Sequence, residues 1–217
     1  MKGAPDLVEL VDLILASASP RRRELLARMG LVLQVLPADV DESPRPGERP
    51  ADYVRRIAAA KCDLIADRLA GALGDGPAPP VLGADTTVIV DDRILGKPSD
   101  EADARTMLTL LAGRRHEVTT AYKIRHGERA VDRAVTTMVA FRALRAPELD
   151  AYLACGEWRG KAGGYAVQGI AGAFIAELRG SHTNVIGLPV AELLADLQAL
   201  EALPRYPRPA FGDAAGE

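Results

Sequence analysis

The stretch VDLILASASPRRRELLARMG, residues 11–30, decides how this chain is read. Val11 to Ala16 is a short apolar run, the pattern of a buried strand. Ser17-Ala18-Ser19-Pro20 interrupts it, and RRRELLARMG then places Leu25, Leu26 and Met29 on one side of a helix. Ser19 suits the N-cap, Pro20 the first helical position and Gly30 the C-terminal stop.

Working outward, Leu31 to Leu36 reads as a second strand, and residues 41–50 as a polar, proline-rich loop. Ala51 to Ala70 is a long helix with Val54, Ile57, Ala58, Leu64 and Ile65 at helical spacing. Residues 71–80 form a Gly/Pro/Ala linker on the surface. Val81 to Val90 is β-branched strand material with Asp91-Asp92 as its turn, and Ser99 to Leu111 is a helix with an acidic first turn. Strands follow at Glu117–Ile124 and Ala134–Phe141, then a helix from Pro147 to Ala154, a glycine-rich loop over 160–172, a strand at Ala173–Leu178 and a last helix at Pro189–Leu200. Strands and helices alternate throughout, so the fold class is α/β with a mixed sheet and flanking helices. Residues 1–203 read as one domain, with 204–217 as a proline-rich, flexible tail.

The bulk numbers fit this reading. The 217 residues are 48% apolar and 26% charged, the balance of a globular protein. A net charge of −3 argues against a nucleic-acid-coating surface, which needs a basic stripe. Cys62 and Cys155 match no metal or redox spacing and suit a reducing compartment. Asp6, Glu9 and Asp12 interrupt the N-terminal apolar stretch, unlike a signal peptide, and no window approaches a membrane span. A cytoplasmic protein is expected.

The turn at 17–20 carries the first candidate site. A helix start exposes unpaired N–H groups and the positive end of the dipole, a ready place for an anion. Arg21, Arg22 and Arg23 crowd that start although cations there oppose the dipole. A bound phosphate beside the Ser17 and Ser19 hydroxyls would reconcile the two; a solvated basic turn is the plainer alternative.

VLGADTT, residues 81–87, sets an aspartate in an apolar run, an expensive place if Asp85 is buried unpaired. It is either an edge or turn carboxylate or a functional one. Gly96-Lys97-Pro98 follows, a lysine fixed between two conformationally special residues. A carboxylate that holds a metal or takes a proton from water, with a lysine that neutralises phosphate, is what Mg²⁺-assisted phosphoryl chemistry uses. Lys61 falls on the apolar stripe of its helix, where it either snorkels or reaches into a cleft. In KAGGYAVQG, residues 161–169, the glycines admit close approach to a ligand, and the Gln168 amide offers one donating and one accepting side. His116, His126 and His182 form no metal spacing and read as surface or loop residues. No phosphate loop of the GxxxxGK[ST] kind and no GxSxG elbow occurs.

Together the segments LILASASPRRRELL (13–26), VDES (40–43), GADTTVIVDDRILGKP (83–98), HEVTTAY (116–122) and KAGGYAVQGIAGAFIAELRGSHTNVIGLPV (161–190) resemble the Maf family of nucleotide pyrophosphatases, also known as septum-formation inhibitors. They stand in family order along nearly the whole chain. The resemblance implies a fold related to inosine-triphosphate pyrophosphatases, two lobes around a cleft, a homodimer, and metal-dependent hydrolysis between the α- and β-phosphates with Mg²⁺ or Mn²⁺. It implies Asp85 as proton acceptor or metal carboxylate, Lys97 as a catalytic phosphate-binding residue and Glu42 as a metal-side carboxylate. Ser17, Lys61 and Arg22 become phosphate contacts.

Arg21, Thr86 and Gln168 match the subgroup similar to dTTP/UTP pyrophosphatases. Thymine and uracil present an N–H flanked by carbonyls, which one amide can pair in both senses, whereas a guanine edge offers adjacent N–H donors that suit a carboxylate. Alternatives are a different nucleotide (7-methyl-GTP, 5-methyl-UTP, pseudo-UTP or CTP) or a non-catalytic nucleotide-binding regulator of septum formation. No nucleic-acid polymer and no membrane is expected as a partner.

Overall fold

The computed structural model describes residues 11–73, 78–203 and 206–207. The opening unit forms as read: β1 (Leu13–Leu15), α1 (Pro20–Arg28) with the Ser19 hydroxyl accepting from the Arg22 amide, then β2 (Leu33–Val35). Helix α2 (Pro50–Leu73) runs three residues past its expected end. Gly71 inside it costs about 1 kcal/mol relative to alanine, too little to stop a helix that continues through Ala72 and Leu73. The expected linker thus begins as helix, and residues 74–77 lie outside the described residues. So does the expected tail, apart from Tyr206 and Pro207.

Strand β3 (Val81–Val90) turns back into β4 (Arg93–Leu95), which at three residues is too short to show an alternation in the sequence. Asp91 and Asp92 make this turn with φ of 49° and 59°, the left-handed pair that a two-residue hairpin requires and aspartate tolerates. Helix α3 (Glu101–Leu111) leads to β5 (Arg115–His126) and β6 (Arg129–Phe141), both longer than expected. The polar residues at the start of β6 mask its alternation, but the β5 ladder carries them from Arg129 onward. Helix α4 (Ala146–Cys155), 3₁₀ turns at 162–164 and 170–174, β7 (Ile175–Arg179), α5 (His182–Ile186) and α6 (Val190–Ala199) complete the order. Helix α5 was not anticipated; it is a single turn capped by the Ser181 hydroxyl, which accepts from Asn184 N at 3.2 Å.

Among the described residues, seven strands form one mixed sheet in the order β2-β1-β3-β5-β6-β7, with β4 on β3. β1 runs parallel to both β2 and β3, and the remaining pairings are antiparallel. Helix α1 carries the chain from β1 to β2 on one side, and α2 carries it from β2 back past β1 to β3 on the other; such a switch point opens a crevice at the carboxyl ends of the strands. Leu13, Leu15, Leu82 and Ala84 pack with α1 and α6. On the opposite face Ile14 and Val81 meet Cys62 and Ile65 of α2. Val88 and Val90 pack with α3 and α4 in a separate cluster.

The sheet has a gap where the crevice lies. β5 covers one edge of β3 from Val81 to Ile89, while on the other edge β1 reaches only Val81 and Leu82, and β4 begins only at Val88. Residues 83–87 therefore have no strand on that edge. Asp85 points toward α2 and Thr86 toward the α1 face, yet the gap lets both side chains reach one space.

Gly83 brings α2 close enough to matter. A Cβ there would collide with the Ala58 carbonyl and the Cys62 amide and lie 2.7 Å from Cys62 Cβ. This is the close backbone approach that glycine inside a strand marks. Gly83→Ala is expected to destabilise by about 1–3 kcal/mol and to displace Lys61, next to Cys62, from Asp85. Thermal melts and nucleotide hydrolysis check this; a variant unchanged in both would contradict it.

His116 corrects the sequence reading, which put it on the surface. It is 2% exposed, and its Nε2 lies 2.7 Å from Tyr165 Oη in an edge-to-face cluster with Tyr165 and Phe141. Burial alternates over the first residues of its strand, Arg115 to Val118, and position 116 falls on the inward face. Burial pushes its pKa down from 6.5 to about 4. The unfolded chain then binds the extra proton between these values, so stability is present above pH 6.5 and lost as pH falls toward 4, by on the order of 3 kcal/mol. His116→Gln should flatten this part of the stability–pH curve in urea unfolding. Parallel curves for the two proteins would contradict the assignment.

Candidate active site

A cleft of about 330 Å³ opens at the gap in the sheet. Ser17, Arg21, Arg22, Glu42, Lys61, Asp85, Thr86, Lys97 and Gln168 all line it, so the site residues singled out from the sequence converge there with one exception. Arg23 does not; it is exposed on the outer side of α1.

At the centre lies Lys61, 6% exposed. Its Nζ is 2.9 Å from Asp85 Oδ1 and 2.6 Å from Glu42 Oε1. Lys61 therefore does not snorkel: it reaches from the apolar stripe of α2 into the cleft. Asp85 is not a turn carboxylate but a buried residue on the uncovered stretch of β3, its charge met by Lys61. Partial burial works to raise the Glu42 pKa, but the hydrogen bond and charge of Lys61, followed by Lys97 and Arg22, hold it below the usual value. Lys97 Nζ stands 3.9 Å from Glu42 Oε2 on a largely exposed side chain. Its loop is held by the Gly163 amide donating to Gly96 O at 3.0 Å, which ties the two glycine-bearing motifs together.

Arg22, 7% exposed, braces the other wall. Nε donates to Gly187 O at 2.9 Å, Nη1 to Ser17 Oγ at 3.0 Å and Nη2 to Thr86 Oγ1 at 2.9 Å. All three acceptors are neutral. Burial lowers the guanidinium pKa, with Asp85 the largest opposing influence. A buried cation hydrogen-bonded only to neutral groups calls for an anion, and a guanidinium has five N–H donors. Ser17 Oγ accepts from both Arg22 and the Ser19 amide, at 3.0 and 3.3 Å. With both lone pairs taken, its hydroxyl proton is left to donate, as a phosphate oxygen needs.

The cleft carries Arg21, Arg22, Lys61, Lys97 and Lys161 against Glu42 and Asp85, a local positive excess in a chain of net charge −3. Lys161 was not assigned a role from the sequence. Its ammonium is capped by the Glu157 and Arg159 carbonyls, and burial, then the charge of Arg21, lower its pKa. The Arg21 side chain makes no hydrogen bond or ion pair among the described residues, and Gln168 is exposed at the cleft with its side-chain amide likewise unengaged.

Among the described residues no group of three or more His, Cys, Asp or Glu side chains could hold a metal. Glu42 and Asp85 nonetheless fit a hard divalent cation, because Mg²⁺ is ordinarily held by one or two carboxylates with substrate phosphates and water.

Residues 12–200 match the family model described as "Maf-like protein". A dTTP/UTP pyrophosphatase of Cereibacter sphaeroides is 52% identical over 90% of this chain and 98% of its own length. One of Sphingopyxis alaskensis is 51% identical over 87% and 96%, and one of Anaeromyxobacter dehalogenans 49% over 86% and 92%. Among solved structures, the Ham1 protein of Staphylococcus aureus is similar at a TM-score of 0.46 and 15% identity, covering 87% of this chain and 98% of that one.

Proposed function

We propose, because this chain belongs to the Maf-like protein family, that it is a pyrophosphatase hydrolysing dTTP and UTP to the monophosphate and pyrophosphate. The observation that carries the reading is the Glu42–Lys61–Asp85 cluster beside the α1 N-terminus in one cation-rich cleft. The unbonded Arg21 amide at the start of α1, the Ser17 hydroxyl and Arg22 take phosphate oxygens. Asp85, oriented by Lys61, accepts the proton of a water that attacks the α-phosphorus in line. The new P–O bond forms as the bond to the bridging oxygen breaks, and pyrophosphate leaves with its charge met by Lys97 and Lys61. A divalent cation, Mg²⁺ or Mn²⁺, would be held by Glu42 and Asp85 with the phosphates and would supply charge withdrawal from phosphorus. The base end of the substrate meets Arg21, Thr86 and Gln168. The setting for this chemistry is cytoplasmic, on free nucleotides, in a homodimer; among the described residues no helix is long and apolar enough to cross a membrane.

A nucleotide panel with pyrophosphate detection tests this reading. Release of pyrophosphate from dTTP and UTP supports it. Preference for 7-methyl-GTP, or binding without turnover, overturns it. Gln168→Glu is expected to lower kcat/KM for dTTP and UTP by about tenfold, the size of one hydrogen bond at a partly exposed site, because a carboxylate cannot donate to a pyrimidine carbonyl. An unchanged kcat/KM would take Gln168 out of base recognition.

A further inference from the structure

The cleft contains a second hydroxyl on Arg22, and its polarity is the reverse of Ser17's. Thr86 and Thr120 stand directly opposite each other on β3 and β5, with Oγ1 atoms 2.9 Å apart. Thr120 is fully buried, and its hydroxyl donates to the Asn184 carbonyl at 2.9 Å. A hydroxyl has one proton and two lone pairs. With the Thr120 proton committed to Asn184, the bond between the two threonines must be donated by Thr86. Thr86 Oγ1 also accepts from Arg22 Nη2. Its proton and one lone pair are thus used, and what remains for the cleft is a single lone pair. The chain Arg22→Thr86→Thr120→Asn184 O runs in one direction only, and its one opening toward a ligand is an acceptor.

We infer that Thr120 is a specificity-determining positioning residue, which fixes the Thr86 hydroxyl as an acceptor for the imide N3–H of thymine or uracil and so turns away cytosine. The inference rests on the dTTP/UTP reading. dTTP and UTP differ in the sugar and in the 5-methyl group, and share the imide. Cytosine has an unprotonated nitrogen at the same ring position, and two facing lone pairs leave a polar contact unmade at a cost of about 1–3 kcal/mol. Gln168, at the rim, then has a flanking carbonyl to donate to. Thr120 itself does not line the cleft; it acts through Thr86.

Thr120→Val keeps the shape and removes the acceptor, freeing the Thr86 proton to turn toward the cleft and donate to cytosine. The ratio of kcat/KM for dCTP to that for dTTP is expected to rise roughly tenfold, as expected for relief of one mispaired hydrogen bond. Thr120→Ser, which retains the hydroxyl, restores the wild-type ratio. A Val ratio equal to wild type, with dTTP still turned over, overturns the inference and points to a ribose hydroxyl, common to all substrates, as the donor to Thr86. Absence of dTTP turnover in the wild-type protein would overturn the underlying reading, a separate result. A wild-type measurement covers the case of a Val variant that does not fold. Loss of the N3 proton removes the donor, so kcat/KM for 5-fluoro-dUTP, whose N3–H is the more acidic, should fall at lower pH than that for dTTP. Coincident profiles overturn the inference as well.

Discussion

Asp85→Asn is expected to lower kcat for dTTP by about 10²–10⁴-fold, the usual worth of a positioned general base, with little change in stability. The asparagine carbonyl still accepts from Lys61 but cannot take a proton from water. Lys61, moreover, keeps its 2.6 Å contact with Glu42, so no buried ammonium is left uncompensated. A large kinetic loss beside a small shift in melting temperature is the signature of a residue that performs chemistry. Full activity in this variant would remove Asp85 from the mechanism, and a collapse in stability would make it a structural ion-pair partner instead.

Lys61→Met should show the opposite balance, losing both activity and stability. It leaves Asp85, 9% exposed, facing Glu42 with no cation between them. Removing one partner of a buried pair costs about 3–5 kcal/mol; the lower end applies because the Glu42 side chain is 41% exposed and water screens it. The pH dependence follows from the depressed Glu42 pKa in the wild-type protein. A lowered carboxyl pKa contributes stability above its unfolded value of 4.5 that is lost as pH falls through the folded one. The variant lacks that contribution, so the stability gap between the two proteins should narrow as pH drops below about 4.5. A gap independent of pH would show that the lysine acts through its methylene packing alone.

The two variants together separate what the sequence could disclose from what it could not. Residue types were legible: a helix start bearing arginines against its own dipole, an aspartate in an apolar strand, and a lysine on an apolar stripe each break a local rule, and each turned out to line the cleft. Their relation was not legible. That Lys61 meets Asp85 depends on α2 approaching β3 at Gly83, and a glycine in a strand signals close approach without naming the neighbour. Thr120 sits in an unremarkable TT pair, and only the register of β3 on β5 sets it against Thr86 rather than Thr87. The bracing of Gly187 and Thr86 by Arg22 spans 165 and 64 positions of chain, beyond any periodicity argument.

Errors in the fold reading have the same physical origin. Strand β4 and helix α5 are too short to show a period and exist because a hairpin ladder and a serine cap supply what propensity does not. Helix α2 overran its expected end because one glycine is a weak stop. His116 was taken for a surface residue because a single polar side chain in a strand gives no hint of which face it occupies until its register is fixed.

In the proposed reaction, water attacks the α-phosphorus of a triphosphate held between the α1 N-terminus and the Glu42–Lys61–Asp85 cluster. Hydrolysis of dTTP in water enriched in heavy oxygen, with the products separated and weighed by mass spectrometry, tests it most directly. The label is expected in dTMP and absent from pyrophosphate. Label in pyrophosphate, or release of labelled inorganic phosphate with dTDP, would place the attack on another phosphorus and contradict it.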